Sequence, residues 1–150
     1  TIAPTLLKPK SRGYVGLNSN DPMDDPLIQP NFLSAKDDLK ILILGVKKAL
    51  EVSKAAAFNS FRKAIIVPKD ESDAEIIEHI KKGVETVYHP VGTCKMGYDA
   101  MAVVSDTLQV HGIMGLRVVD ASIMPTIVSG NTNAAAIMIG EKAADMIMGQ

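Results

Sequence analysis

Residues 116–148 read LRVVDASIMPTIVSGNTNAAAIMIGEKAADMIM, and the reading of this stretch decides the fold class. Leu116–Val119 predicts a short buried strand. The following DASIMPTIVSGNTN is rich in hydroxyls and amides and carries Pro125 and Gly130, so it predicts an irregular loop. Ala134–Met148 predicts a helix that is apolar on nearly every side at first. It becomes amphipathic only after Gly140, where Glu141, Lys142 and Asp145 enter. The start of that helix is therefore expected to be deeply buried, and its first N–H groups need partners. Thr132 or Asn133 is a candidate cap, and an anionic or carbonyl-rich ligand would serve the remaining donors. In parallel α/β architecture ligands gather at the C-terminal ends of strands. Asp120, at the exit of the strand, is thus a candidate site carboxylate, with a turn or capping role as the alternative.

Upstream, HPVGTCKMG occupies residues 89–97. His89 follows a brief extended run, Glu85–Tyr88, and stands beside Pro90 in a neighbourhood of low charge. A histidine in such a place can take a proton from a bound substrate. A satisfied structural histidine and a metal ligand remain as alternatives on these residues alone. His79 lies among charged neighbours and reads as solvated, and His111 reads as a turn residue in VHG. The three histidine spacings match no standard zinc pattern. Cys94 is the only cysteine, which excludes an internal disulfide and reads as an inert thiol. Around Ser129 the G-x-S-x-G pattern of a nucleophile elbow is missing. The residues themselves therefore lead to one candidate pocket, made of His89, Asp120 and 131–134.

The first third of the chain is punctuated by Pro4, Pro9, Pro22, Pro26 and Pro30. A short strand is expected between Ser11 and Asn18, and a weaker one over Leu27–Leu33, where Pro30 suits only an edge or irregular strand. NSNDPMDDP (18–26) is a loop that lacks the twelve-position calcium pattern. From residue 34 a long helix is predicted, with Ser34 as N-cap and Asp37 and Asp38 in the first turn. Leu39, Leu42, Ile43, Val46, Ala49 and Leu50 form its apolar stripe. A short helix or irregular turn is expected over 54–62. Ser72-Asp73-Ala74-Glu75 is a capping box, predicting a helix that ends by residue 82.

At 150 residues, area scaling allows a folded surface of roughly 7,400 Å² if the chain is a whole domain. A 47% hydrophobic and 22% charged composition excludes a wholly disordered chain. The net charge of −1 without a basic block gives no reason to expect nucleic acid or an anionic membrane. No apolar run is long enough for a transmembrane helix. The sequence starts without Met and stops inside a predicted helix, so both ends are expected to be cut.

Four stretches carry a resemblance: SRGYVGLNSNDPMDDPLIQPNFL (11–33), HPVGTCKMG (89–97), MAVVSDTLQVHG (101–112) and LRVVDASIMPTIVSGNTNAAAIMIGEKAADMI (116–147). In this order they resemble the C-terminal portion of glucose–methanol–choline (GMC) oxidoreductases, with wording most similar to the insect glucose dehydrogenase-like branch. The resemblance implies an α/β fold: part of an α+β substrate domain with the last strand and helix of a Rossmann-like FAD domain, as an incomplete fragment. Residues 1–88 would belong to the substrate domain with its antiparallel sheet. Residues 89–114 would be an active-site and connecting segment, and 115–150 the end of the FAD domain. The implied activity is oxidation of an alcohol or sugar CH–OH group by hydride transfer to FAD, with a quinone-like or dye-like acceptor or oxygen.

The same resemblance implies His89 as the base and Asn131 as its partner at the substrate oxygen. Asp120 and Ala121 would lie along the ribityl–pyrophosphate part of FAD. Thr132, Asn133 and Ala134 would approach the pyrimidine side of the flavin ring. The partners implied are a small alcohol or sugar and the missing N-terminal part of the same enzyme, because no G-x-G-x-x-G dinucleotide motif occurs in these residues. A second departure is Ser105-Asp106 where the family commonly has Asp-Pro. A flavin-retaining hydroxynitrile lyase and a non-enzymatic scaffold relative are the alternatives.

Overall fold

Gly13 lets two extended segments meet: a Cβ at this position would stand 2.2 Å from the carbonyl oxygen of Gln29. In the computed structural model, which describes residues 1–149, the pairing that follows joins β1 (Tyr14–Gly16) to β2 (Leu27–Gln29). The two strands are antiparallel, with Tyr14 opposite Gln29, Val15 opposite Ile28 and Gly16 opposite Leu27. β2 ends where Pro30 removes a ladder donor, well before the expected Leu33. The 18–26 loop between the strands is stiffened by local turns, in which Ser19 Oγ accepts from Asp21 N and Asp21 Oδ1 accepts from Met23 N.

The first long helix, α1, spans Lys36–Ser53. Its cap departs from expectation. Ala35 occupies the N-cap position and offers no side-chain cap, so Ser34 does not serve. Asp38 in the first turn is buried, and its carboxylate accepts from Lys10 N and Ser11 N, both at 2.8 Å, and from Ser11 Oγ. Ser11 Oγ in turn accepts from Ala35 N at 3.0 Å. A tertiary network thus closes the helix start in place of a local cap. A single turn of 3-10 helix at Ala56–Phe58 follows.

α2 covers Asp73–Gly83, one residue past its expected end. Its capping box is half formed. Ser72 Oγ accepts from Glu75 N at 3.3 Å, but Glu75 Oε1 accepts from Lys69 N at 3.2 Å. Ser72 N instead donates to Asp70 Oδ1 at 2.8 Å. The upstream turn supplies nearer partners than the helix itself. Val46 and Leu50 of α1 pack on Ile76 and Ile80 of α2, with Leu39, Leu42 and Ile43 around them. These are the stripes that the 3.6-residue period marks out.

The chain divides into two units, Thr1–Glu85 and Thr86–Gln150. The second is built on a different principle. The expected strand Leu116–Val119 forms no ladder and only Arg117 makes a bridge, to Gln109. A strand exists only through its partners, and among the described residues this one has a single bridge partner. Further bridges join Val104 to Met96 and to Val110. α3, Asn133–Met148, completes the unit. Val104, Leu108, Ile123, Met124, Ile139 and Ala143 form its core. The start of α3 is not buried as expected: Asn133 and Ala134 are exposed, and Ile137 and Met138 are each 58% exposed. Its Ile139 and Ala143 side reaches the core, with Ala135 and Met146 packed against it. The architecture is a small mixed α/β fold, with one two-stranded sheet among the described residues.

Burial pushes the Asp38 carboxyl up, but hydrogen bonds from Lys10 N, Ser11 Oγ and Ser11 N outweigh it, helped by the charge of Arg12. They hold Asp38 below the usual carboxylate range. Because the folded pKa is the lower one, the stabilisation is fully present above the unfolded value of about 3.9 and is lost as pH falls through the folded value. Asp38→Ala is expected to lower unfolding free energy at neutral pH by about 3 kcal/mol. Urea titrations of the two proteins should converge as pH drops below about 3.9.

Candidate active site

His89 is positioned by an unusual approach of the chain. Tyr88 before it adopts a left-handed φ of 62°, a conformation that costs a bulky residue about 1–2 kcal/mol. Pro90 after it fixes the next φ. Gly92 has φ +89°, and a Cβ there would stand 3.2 Å from Met124 O. The segment then lies along the 120–124 turn, where Cys94 N donates to Ser122 O at 3.0 Å and Met96 N to Ile123 O at 2.7 Å.

The result is a half-buried imidazole in contact with the start of α3. His89 Nδ1 and Thr132 Oγ1 are 3.0 Å apart, bridging 43 residues of sequence. Thr132 is buried and stands at the N-cap position of α3, yet its side chain makes no cap hydrogen bond. The resemblance to the family implies a flavin contact for Thr132, and nothing local in the sequence signals a bond to His89. Asn131 and Asn133 flank this contact and are exposed, and Asn133 is the first residue of the helix rather than its cap.

Asp120 is engaged within its own turn. It caps the 3-10 turn Ala121–Ile123, with Oδ1 accepting from Ser122 N at 2.8 Å and from Ser122 Oγ. This is the turn role given above as the alternative for Asp120, and its second oxygen is left on an exposed residue. The structure thus brings His89 to Thr132, with Asn131 and Asn133 at adjacent positions. His111 is a turn residue whose Nε2 lies 2.9 Å from Gly97 O. Beside it Tyr98 hydrogen-bonds Asp106, which raises the phenol pKa. His79 is half-buried rather than fully solvated, and Cys94 is a free thiol of intermediate exposure. Among the described residues no cluster of three or more His, Cys, Asp or Glu side chains is placed to hold a metal.

A family model described as GMC oxidoreductase matches residues 9–140. The chain belongs to the GMC oxidoreductase family. It is 52% identical over 144 residues to an alcohol dehydrogenase (acceptor) of Pseudomonas putida, covering 95% of this chain and 26% of that protein. It is 47% identical over 146 residues to an oxygen-dependent choline dehydrogenase of Klebsiella pneumoniae, covering 96% and 26%. Among solved structures, pyridoxine 4-oxidase from Mesorbium loti superposes with a TM-score of 0.90 at 30% identity, covering 96% of this chain and 28% of that one. A fungal aryl-alcohol oxidase gives 0.82 at 31% identity, covering 96% and 24%. This GMC chain spans about a quarter of the length of the curated relatives it matches.

Gly92→Ala tests the local geometry. The left-handed φ and the approach to Met124 O together are expected to cost about 1–2 kcal/mol or more. Thermal unfolding of the complete protein should show the loss, and an unchanged midpoint would contradict the described turn.

Proposed function

We propose that the complete protein oxidises the CH–OH group of a small alcohol or sugar with FAD, and that this chain supplies the base and one wall of the active site. The observation that carries the reading is the 3.0 Å contact between His89 and Thr132. It places the imidazole of YHPVGT against the SGNTN loop within a chain of the GMC family.

The residues present fit a flavin. The start of α3 has no side-chain cap, its first residues are exposed, and Ala134–Ala136 carry no bulk that would keep a ligand from the main chain. Its free N–H groups and positive helix end suit the electron-rich pyrimidine edge of the ring. Thr132, Asn133 and Ala134 would hold that edge, and Asp120 and Ala121 the ribityl–pyrophosphate part. When bound, FAD supplies the acceptor for the hydride leaving the alcohol carbon. His89 takes the hydroxyl proton, and the Asn131 amide orients the substrate oxygen and favours its developing negative charge. In this reading residues 1–88 belong to the substrate domain, 89–114 to the connecting segment and 115–150 to the FAD domain. The final electron acceptor in this reading would be a quinone-like or dye-like compound, or oxygen.

The insect branch expected from the wording gives way to bacterial alcohol and choline dehydrogenases, since relatives of that kind match at 52% and 47% identity. A small primary alcohol is accordingly the substrate class to try first. The lyase reading draws no support from these dehydrogenases and oxidases.

Anaerobic mixing of the complete, FAD-loaded protein with primary alcohols should bleach the flavin absorbance, whereas a lyase would leave it unchanged. His89→Ala is expected to slow bleaching by about 10²-fold or more. Asn131→Ala should cost about 1.5–3 kcal/mol of transition-state stabilisation, read from kcat/KM. Unaltered kinetics in either variant would remove the role assigned to that residue.

A further inference from the structure

Thr132 has two candidate uses for its hydroxyl, and the structure shows it taking one. At an N-cap position a threonine Oγ normally accepts an N–H from the first turn of its helix. Here it makes no such bond and lies 3.0 Å from His89 Nδ1. Thr132 is only 9% exposed, so a hydroxyl in this position is expected to have a partner. Its β-branched side chain has restricted χ1 freedom. Its backbone is already helical, with φ −80° and ψ −9°, and α3 is anchored in the core through Ile139 and Ala143. The oxygen is therefore a fixed point, held by the helix, toward which the imidazole is turned.

A neutral imidazole has one N–H and one lone pair, and the partner of one nitrogen selects the role of the other. We propose that Thr132 is a positioning residue for His89, its Oγ1 accepting the Nδ1–H so that Nε2 keeps the lone pair that takes the substrate proton. The inference rests on the proposed role of His89 as base and deepens it. It states which nitrogen acts and why. The alternative direction, with the hydroxyl donating to Nδ1, would leave Nε2 protonated and unable to act as base in the neutral ring.

The test uses the complete FAD-loaded protein in five forms: wild type, Thr132→Ser, Thr132→Val, His89→Ala, and His89→Ala combined with Thr132→Val. Thr132→Val keeps the shape and removes the hydroxyl. It is expected to slow alcohol-driven flavin bleaching about 10- to 100-fold, while Thr132→Ser stays within about threefold of wild type. In the His89→Ala background the valine substitution should change the rate less than about twofold, because the residue through which Thr132 acts is gone. Nitrogen-15 spectra of histidine-labelled protein, with His89 assigned by its disappearance in His89→Ala, should show the proton on Nδ1 in wild type. They should show it moved to Nε2 in Thr132→Val.

A wild-type rate in Thr132→Val, a serine variant as slow as valine, the same slowing without His89, or a proton on Nε2 in wild type would each overturn the proposal. His89→Ala reacting at the wild-type rate would overturn the reading of His89 as base, and this inference with it. A failure confined to the Thr132 variants leaves that reading standing.

Discussion

The second unit is held by main-chain hydrogen bonds between loops, and the position of His89 depends on them. Cys94 N and Met96 N donate to the carbonyls of Ser122 and Ile123. Val103 N donates back to Lys95 O, His111 N to Val103 O, Ser105 N to Gln109 O, Val110 N to Leu116 O and Val118 N to Leu108 O. These bonds satisfy backbone groups that irregular structure would otherwise leave without partners. They also fix the order of segments around Val104, which is fully buried. The segment that carries His89 is tied by this network to the turn that leads toward α3. Without Cys94–Ser122 and Met96–Ile123, nothing in the local sequence would aim residue 89 at residue 132.

The first unit solves the same problem with a charge. A carboxylate is costly to bury unless donors surround it, and three donors from Lys10 and Ser11 converge on Asp38. The bonds join the segment before β1 to the first turn of α1. Helix packing through Leu50 and Ile76 does the remainder. One unit is thus organised by a buried anion and two facing helices, the other by interleaved loops under one helix.

The helices were legible because their signals are local: the spacing of Leu39, Leu42, Ile43 and Val46, the Ser72 cap, and the run Ala134–Met148. What depended on a distant partner was not. Ser34 is a good cap by type, but a network centred on Ser11 and Asp38 occupies that end of α1. Leu116–Val119 has strand composition, yet pairing is a property of neighbours and only Arg117 finds one. The apolar start of α3 reads as buried, and Ile137 and Met138 are in fact exposed in this chain. For the site, the wording around His89 and Asn131 marked out a neighbourhood whose two segments the structure brings together through Thr132. The bond that joins it links residues 43 positions apart, and no periodicity or turn rule reports on a contact at that separation.

α3 is closed at one end and open at the other. Gly149, left-handed at φ 78°, returns its N–H to Asp145 O and seals the C-terminal turn. At the opposite end the natural stopper, Thr132, has its hydroxyl engaged elsewhere. A helix built this way resists unwinding unequally, since local opening starts where fewest bonds must break. Its stiff end carries no candidate chemistry, and its loose end carries the residues assigned to the ligand. A ligand bound there as proposed would also complete the secondary structure, so that occupancy and helix order would rise together.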